Sequence, residues 1–217
     1  RDERNGMFET GLKGALARGW QLGTRPGWIY DVGVRGKPHT FGSISDQVSD
    51  PTNTRAVKAW VDSQYDPAVT WADIAWLRGI WQGKLVIKGI LEADDARAAL
   101  DAGADGVVIS NHGGRQLDSV ASTISKLPAV IEAVGGRLEV FMDGGVRGGM
   151  DVFKAVALGA TGVLIGRPWA WAIAGRGEAG LVDLLATFKR ELAVAMALTG
   201  ARSISEVHRG LIEWDRC

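Results

Sequence analysis

The 217-residue sequence has a single cysteine, Cys217, at its last position. No disulfide can form within such a chain, and a reducing, cytoplasmic setting is the expected one. Only three histidines are present, and neither they nor the acids group at metal-ligand spacing, so no metal site is expected. Neither sign of charge is in excess: 25 Lys and Arg stand against 25 Asp and Glu. That balance removes the global electrostatic support a nucleic-acid partner would draw on. No apolar run approaches the roughly 20 residues of a membrane-spanning helix, and no signal peptide is visible. Walker loops and Gly-x-Ser-x-Gly elbows are absent as well. An initial methionine is also missing, since the chain opens Arg1-Asp2-Glu3-Arg4, and a natural N-terminus further upstream is expected.

What the sequence has in quantity is glycine, 30 residues, clustered at the ends of short apolar runs. Glycine there signals tight turns or backbone that approaches a ligand. Residues 1–84 differ from the rest. They hold six of the nine tryptophans, both tyrosines and turn markers such as Arg25-Pro26-Gly27 and Asp50-Pro51. A helix is expected near Thr54–Ser63, and a second from Thr70, which caps a stripe of Trp71, Ile74 and Leu77. From Leu85 the pattern becomes regular. Leu85–Ile87, Gly106–Ile109, Leu138–Met142 and Gly162–Ile165 are too short for helices and rich in β-branched residues, so they read as buried parallel strands. Helical segments lie between and after them, at Ala93–Ala102, Met150–Leu158 and Leu181–Leu198. The division is therefore 1–84, an aromatic and basic segment with helices, and 85–217, a run of βα units. The fold class is α/β, and four such units make half of a (β/α)8 barrel with two open edges.

In such barrels, catalytic groups sit at the C-terminal ends of strands. The chemically distinctive residues fall there. Lys88 ends the first run, Ser110-Asn111-His112-Gly113-Gly114-Arg115 follows the second, Asp143-Gly144-Gly145-Val146-Arg147 the third, and Gly166-Arg167 the fourth. Taken alone, Lys88 could simply extend to solvent. His112, flanked by glycine, has little packing to do and suits proton transfer near neutrality. Arg115, three residues on, can clamp a carboxylate beside it. His39 and His208 have no such surroundings and read as surface residues. Glycine turns followed by helix starts, each with an arginine, make a phosphate site. Barrels often hold phosphate after strands seven and eight, which would place the start of the chain just ahead of strand five.

Ser110–Asp118 (SNHGGRQLD), Leu85–Leu91 (LVIKGIL) and Asp143–Arg167 (DGGVRGGMDVFKAVALGATGVLIGR) together resemble the FMN-dependent 2-hydroxy-acid dehydrogenases and oxidases. The resemblance extends over nearly the whole chain, and the histidine segment is its most specific part. Trp28–His39 (WIYDVGVRGKPH), Asp66–Trp71 (DPAVTW) and Leu198–Val207 (LTGARSISEV) are most similar to the bacterial respiratory L-lactate dehydrogenases of that family. The resemblance implies a (β/α)8 barrel whose last four βα units lie here, with FMN as cofactor. It implies oxidation of an L-2-hydroxy acid, foremost L-lactate to pyruvate, with hydride passing from the α-carbon to the flavin. His112 would take the hydroxyl proton and Arg115 would pair with the substrate carboxylate. Lys88 would lie at the flavin N1–C2 carbonyl edge, with Ser110 beside the ring. Asp143, Gly144, Gly145, Arg147, Gly166 and Arg167 would hold the ribityl chain and phosphate. A quinone or oxygen would take the electrons, and a homo-oligomer is implied.

The resemblance also implies an N-terminal half of the same protein. That half would carry the first four strands, most flavin-ring contacts, the active-site tyrosines, a second carboxylate-binding arginine and the aspartate that orients the histidine. Arg1 falls just after that arginine, and Ser119 stands where many members carry glycine. Two other readings remain: a glycolate- or mandelate-type enzyme of the same family, and a non-catalytic phosphate-binding half-barrel or assembly module. The stretch 11–38 has five basic residues against Asp31 alone, mixed with Trp20, Trp28 and Tyr30. That mixture suits a bilayer interface, so peripheral contact with the inner face of the cell membrane is expected. The alternative is a loop whose aromatics pack on the barrel or on a neighbouring subunit.

Overall fold

The structure, a computed structural model, describes residues 11–37 and 40–213. Arg1, Pro38, His39 and Cys217, which the sequence reading used, lie outside the described residues. The chain divides into two compact units, one ending at Ala68 and the other running from Val69.

In the first unit, α1 spans Leu12–Gly23, and α2 (Pro26–Trp28) runs directly into a π-helical turn at Ile29–Val34. Pro26 starts α2, where its missing N–H costs nothing. Helix α3, Thr54–Gln64, forms where the apolar spacing places it. Its N-terminus is fixed by Asn53, whose Oδ1 accepts from the Arg55 and Ala56 amides at 3.0 and 3.4 Å.

The second unit opens with α4, Trp71–Ile80. Asp73 Oδ2 accepts from both the amide and the hydroxyl of Thr70, each at 2.7 Å, which holds the first turn closed. Those bonds also keep the Asp73 carboxyl below its ordinary pKa. Four strands follow, β1 (Val86–Ile90), β2 (Gly106–Ile109), β3 (Glu139–Met142) and β4 (Gly162–Val163). They form one sheet in the order β1-β2-β3-β4, every pair parallel. Helices α5 (Ala93–Asp101), α6 (Thr123–Val134), α7 (Gly149–Ala157) and α8 (Arg167–Thr199) follow the strands in turn. This is the expected alternation.

The core lies between the sheet and its helices. Val107, Ile109, Val140 and Met142 from β2 and β3 pack with Ala96, Ala99, Leu127, Val130, Val134 and Ala155 from α5, α6 and α7. Complete burial of one Val, Leu or Ile side chain is worth about 1.5–3 kcal/mol. Every residue of β2 is buried, whereas β1 and β4, with a partner on one side only, are partly exposed. Packing of α7 on α8 depends on Gly149, because a Cβ there would meet Phe188 O at 2.2 Å.

Three differences from the sequence reading have physical causes. Helix α4 belongs to the unit that contains the strands, although the pattern-based division fell after residue 84. Asp105, just ahead of β2, ties α4 to the sheet. Its Oδ1 pairs with Lys84 at 2.8 Å, while Oδ2 takes Arg78 Nη1 at 3.1 Å and the Leu85 amide at 2.9 Å. Helix α6 escapes the pattern because Pro128 interrupts it, although an apolar face of Leu127, Val130 and Val134 still packs. Ahead of the expected last helix, Leu181–Leu198, α8 carries a further helical part that begins at Arg167 and ends at a break at Arg176-Gly177.

Candidate active site

The ends of the first three strands converge on one cation. Lys88 lies in β1 opposite Val108 of β2, where the register shifts between Lys88 and Ile90. Its ammonium donates to Ser110 Oγ at 2.7 Å and pairs with Asp143 Oδ2 at 2.9 Å. Ser110 follows β2 and is 3% exposed, and Asp143 follows β3. Lys88 is the middle residue of β1 rather than its end, and instead of simply extending to solvent it is held by two partners. The other carboxylate oxygen of Asp143, Oδ1, is buried without a hydrogen-bond partner among the described residues. A buried acceptor left unpaired costs about 1–3 kcal/mol. It marks the place where a ligand hydroxyl or similar donor fits.

The His112 segment is built on the same serine. Ser110 Oγ also accepts from the His112 amide at 3.1 Å, and Asn111 Oδ1 accepts from the Gly113 amide at 3.0 Å. These two bonds hold a short 3-10 turn, His112–Gly114, in which His112 has φ +53. A non-glycine residue in that region stores about 1–3 kcal/mol and persists only where its surroundings impose it. The turn leaves the side chains of both His112 and Arg115 exposed to solvent. Ser119, at φ +62, also occupies backbone space that favours glycine.

The turn after β3 is fixed from below. Gly144 has φ +83, and a Cβ there would come within 2.9 Å of Asn111 Oδ1. At Gly145 a Cβ would meet nothing, so that face of the turn is open. Thr123, the first residue of α6 and 2% exposed, donates its hydroxyl to Asp143 O at 2.5 Å, with Gly144 O at 3.1 Å.

Not every expected element of a phosphate cradle is free. The Arg147 amide donates to Asp151 Oδ2 at 2.9 Å, and the Gly149 amide to Glu191 Oε2 at 2.7 Å. Two carboxylates therefore already satisfy the start of α7, which was expected to add positive potential there. The start of α8 has no side-chain cap at Gly166, so its amides retain that role. The guanidinium of Arg147 is exposed, with no hydrogen bond or ion pair to its side chain among the described residues. Arg167 instead donates to Gly113 O at 3.3 Å, linking the fourth strand end to the His112 turn.

Lys88, Ser110 and Asp143 are thus brought into direct contact, His112 is joined to them through Ser110, and Arg167 reaches His112's neighbour. Arg115 and Arg147 stand apart. Thr123, Glu191 and Asp151 carry structure that the sequence reading missed. A Ser-Thr pair ahead of the apolar spacing Ile124, Leu127 and Val130 was the available signal for the first. The link from Glu191 to Gly149 spans 42 positions and leaves no local mark. Among the described residues no group of His, Cys, Asp and Glu could hold a metal ion.

The sequence profile described as FMN-dependent dehydrogenase matches residues 1–214. The chain is 49% identical over 209 residues to an L-lactate dehydrogenase of Pseudomonas putida strain W619, covering 96% of this chain and 54% of that protein. It is 48% identical over 212 residues to an L-lactate dehydrogenase of Caulobacter vibrioides strain NA1000 / CB15N, covering 98% and 55%. A crystal structure of mandelate oxidase superposes with a TM-score of 0.68 at 44% identity, over 74% of this chain and 46% of that one. A mandelate oxidase variant with an FMN monooxide adduct gives 0.63 at 47% identity, over 65% and 45%. The chain spans about half the length of the curated relatives it matches. Its four βα units are those of the second half of a (β/α)8 barrel.

Proposed function

The chain belongs to the FMN-dependent dehydrogenase family, and from that premise we propose that the complete protein oxidises an L-2-hydroxy acid, foremost L-lactate to pyruvate, with electrons passing to a quinone. The observation that carries this reading is the convergence of Lys88, Ser110 and Asp143 beneath the His112 turn, at three successive strand ends.

The residues present fit FMN. Asp143 Oδ1 is a buried acceptor without a partner among the described residues, suited to a ribityl hydroxyl. The open face of the turn at Gly145, the uncapped start of α8 at Gly166, and the Arg147 and Arg167 guanidiniums suit a phosphate. When bound, FMN supplies the hydride acceptor for the substrate α-carbon. Everything else falls to this chain and its N-terminal half. Lys88, fixed by Asp143 and Ser110, places a positive charge beside the cofactor. His112 takes the substrate hydroxyl proton on its imidazole as the C–H bond breaks. Arg115, three residues on, pairs with the substrate carboxylate and fixes which face of the α-carbon is offered. The strained backbone at His112 is held by Ser110 and Asn111, so the turn that carries the imidazole is set before substrate arrives.

The test is anaerobic addition of L-lactate to the full-length protein. Bleaching of a yellow chromophore, with one pyruvate formed per flavin, is the expected outcome; a colourless protein that does not take up FMN would end the reading and leave the non-catalytic half-barrel. Mandelate oxidases among the structural relatives favour a second reading, an oxidase of larger 2-hydroxy acids. Faster bleaching by mandelate than by lactate, with reoxidation by oxygen rather than by a quinone, would establish it.

The same reading includes peripheral contact with the inner face of the cell membrane. Leu12, Leu16 and Trp20 form one stripe of α1 at i, i+4 and i+8, with exposures of 77%, 66% and 76%. Lys13, Arg18, Arg25, Arg35 and Lys37 accompany it against Asp31 alone, and each basic residue near an anionic leaflet adds about 1 kcal/mol. Among the described residues no helix is long and apolar enough to cross a membrane.

A further inference from the structure

We propose that Thr123 is a positioning residue for the cofactor turn, holding Asp143 and Gly144 in place so that Asp143 can fix Lys88; this rests on the FMN reading above. Ser110 and Thr123 are the buried polar residues of the described chain. Ser110 already belongs to the Lys88 cluster. Thr123 is not itself among the residues expected to meet substrate or flavin, yet it donates to the two carbonyls where β3 becomes the turn.

The backbone accounts for why a hydroxyl is needed there. The Asp143 amide is still in register with the sheet, donating to Ile109 O at 3.0 Å. Its carbonyl, together with that of Gly144, lies past the last residue of the strand, and the single hydroxyl hydrogen of Thr123 is directed to Asp143 O at 2.5 Å with Gly144 O at 3.1 Å. Without that donor a part-buried carbonyl loses its partner and the turn loses one of its restraints. The restraint matters because Gly144 also abuts Asn111 Oδ1, the same oxygen that holds the Gly113 amide of the His112 turn: a Cβ at Gly144 would lie 2.9 Å from that oxygen and 3.3 Å from Thr123 Oγ1. Asn111 Nδ2 in turn donates to Ala121 O at 3.2 Å, two residues before Thr123. Asn111 and Thr123 therefore both abut Gly144, coupling the geometry of the base-bearing turn to that of the cofactor turn. A shift of Asp143 moves the counter-charge of Lys88 and the unpaired Oδ1 together.

The experiment compares full-length wild type, Thr123→Val, Thr123→Ser and Thr123→Ala. FMN affinity is read by titrating the apoprotein, and flavin reduction by L-lactate is read separately as a limiting rate and a KM. The valine variant keeps the shape and loses only the donor. It is expected to bind FMN about 10- to 100-fold more weakly, as for an unpaired part-buried carbonyl, and to lower the limiting rate with little change in KM. The serine variant keeps the donor and is expected to retain both properties. If the valine variant does not fold, the serine and alanine variants decide the matter, with loss in alanine alone supporting the proposal. FMN affinity and rate at wild-type level in the valine variant would overturn it. So would equal losses in serine and valine, because serine keeps the donor and would then show that the hydroxyl is not the deciding group. Failure of wild type itself to bind FMN would instead overturn the functional reading.

Discussion

Lys88 Nζ lies 2.9 Å from Asp143 Oδ2, so a cation from the first strand of the sheet is neutralised by a carboxylate that follows the third. The lysine side chain keeps 43% of its exposure and the aspartate 16%, so solvent still screens the pair. A double-mutant cycle with Lys88→Met and Asp143→Asn, followed by urea unfolding, is expected to give a coupling energy of about 0.2–1 kcal/mol. Their effect on FMN affinity should be larger and strongly non-additive, because either change disrupts the same cluster. Strictly additive losses of affinity would show that the two residues act independently.

His112→Ala in the full-length protein should leave FMN bound while slowing flavin reduction by about 10²–10⁴, the usual contribution of a positioned base. Arg115→Met should chiefly raise the KM for L-lactate and also slow reduction, since the carboxylate clamp both binds and orients. Stopped-flow reduction under anaerobic conditions separates the two effects. A histidine variant reduced at the normal rate would remove the assigned base.

Replacing both Arg147 and Arg167 by alanine should abolish retention of FMN through dialysis. Arg167→Ala alone should have a second consequence. Its guanidinium bonds Gly113 O at 3.3 Å, so the limiting reduction rate should fall in protein saturated with FMN, whereas Arg147→Ala should not lower it. Unchanged flavin stoichiometry in the double variant would contradict the phosphate assignment.

Asp105 locks the N-terminal end of the sheet, and its carboxyl is held down to about 2, first by Lys84, then by the Leu85 amide, with Arg78 adding to the shift. A carboxyl depressed in the folded state adds stability that is complete above its unfolded pKa, near 3.8, and is lost as pH falls towards about 2. Asp105→Asn should therefore lower Tm at neutral pH, with the gap to wild type narrowing between those two values. A gap independent of pH would mean that packing, not charge, is the source.

Partition onto anionic vesicles at low salt should depend on the stretch 11–38. Full-length protein is expected to sediment with phosphatidylserine-containing vesicles and to be released by salt, as electrostatic attachment requires. Replacing that stretch with a short Gly/Ser linker should abolish sedimentation. Equal partitioning of both proteins, or no binding by wild type, would assign the Leu12, Leu16 and Trp20 stripe to protein contacts instead.

The sequence by itself determined the alternation of strands and helices, because buried parallel strands must be short, apolar and β-branched, and those runs are visible without a fold. It also picked out the candidate site residues, because Lys88, Ser110–Arg115, Asp143–Arg147 and Gly166-Arg167 each follow such a run. Tertiary structure decided which of these residues meet. Lys88 finds Ser110 and Asp143 because parallel pairing brings the ends of β1, β2 and β3 side by side, a relation that spacings of 22 and 55 residues do not encode. Tertiary structure also decided that the start of α7 is already satisfied, because Glu191 reaches it from α8. The same holds for Thr123, whose hydroxyl gains its role only when β3 ends within its reach. Local sequence specifies where a donor or a charge sits along the chain; which acceptor it satisfies depends on contacts that exist only after the sheet has closed its register.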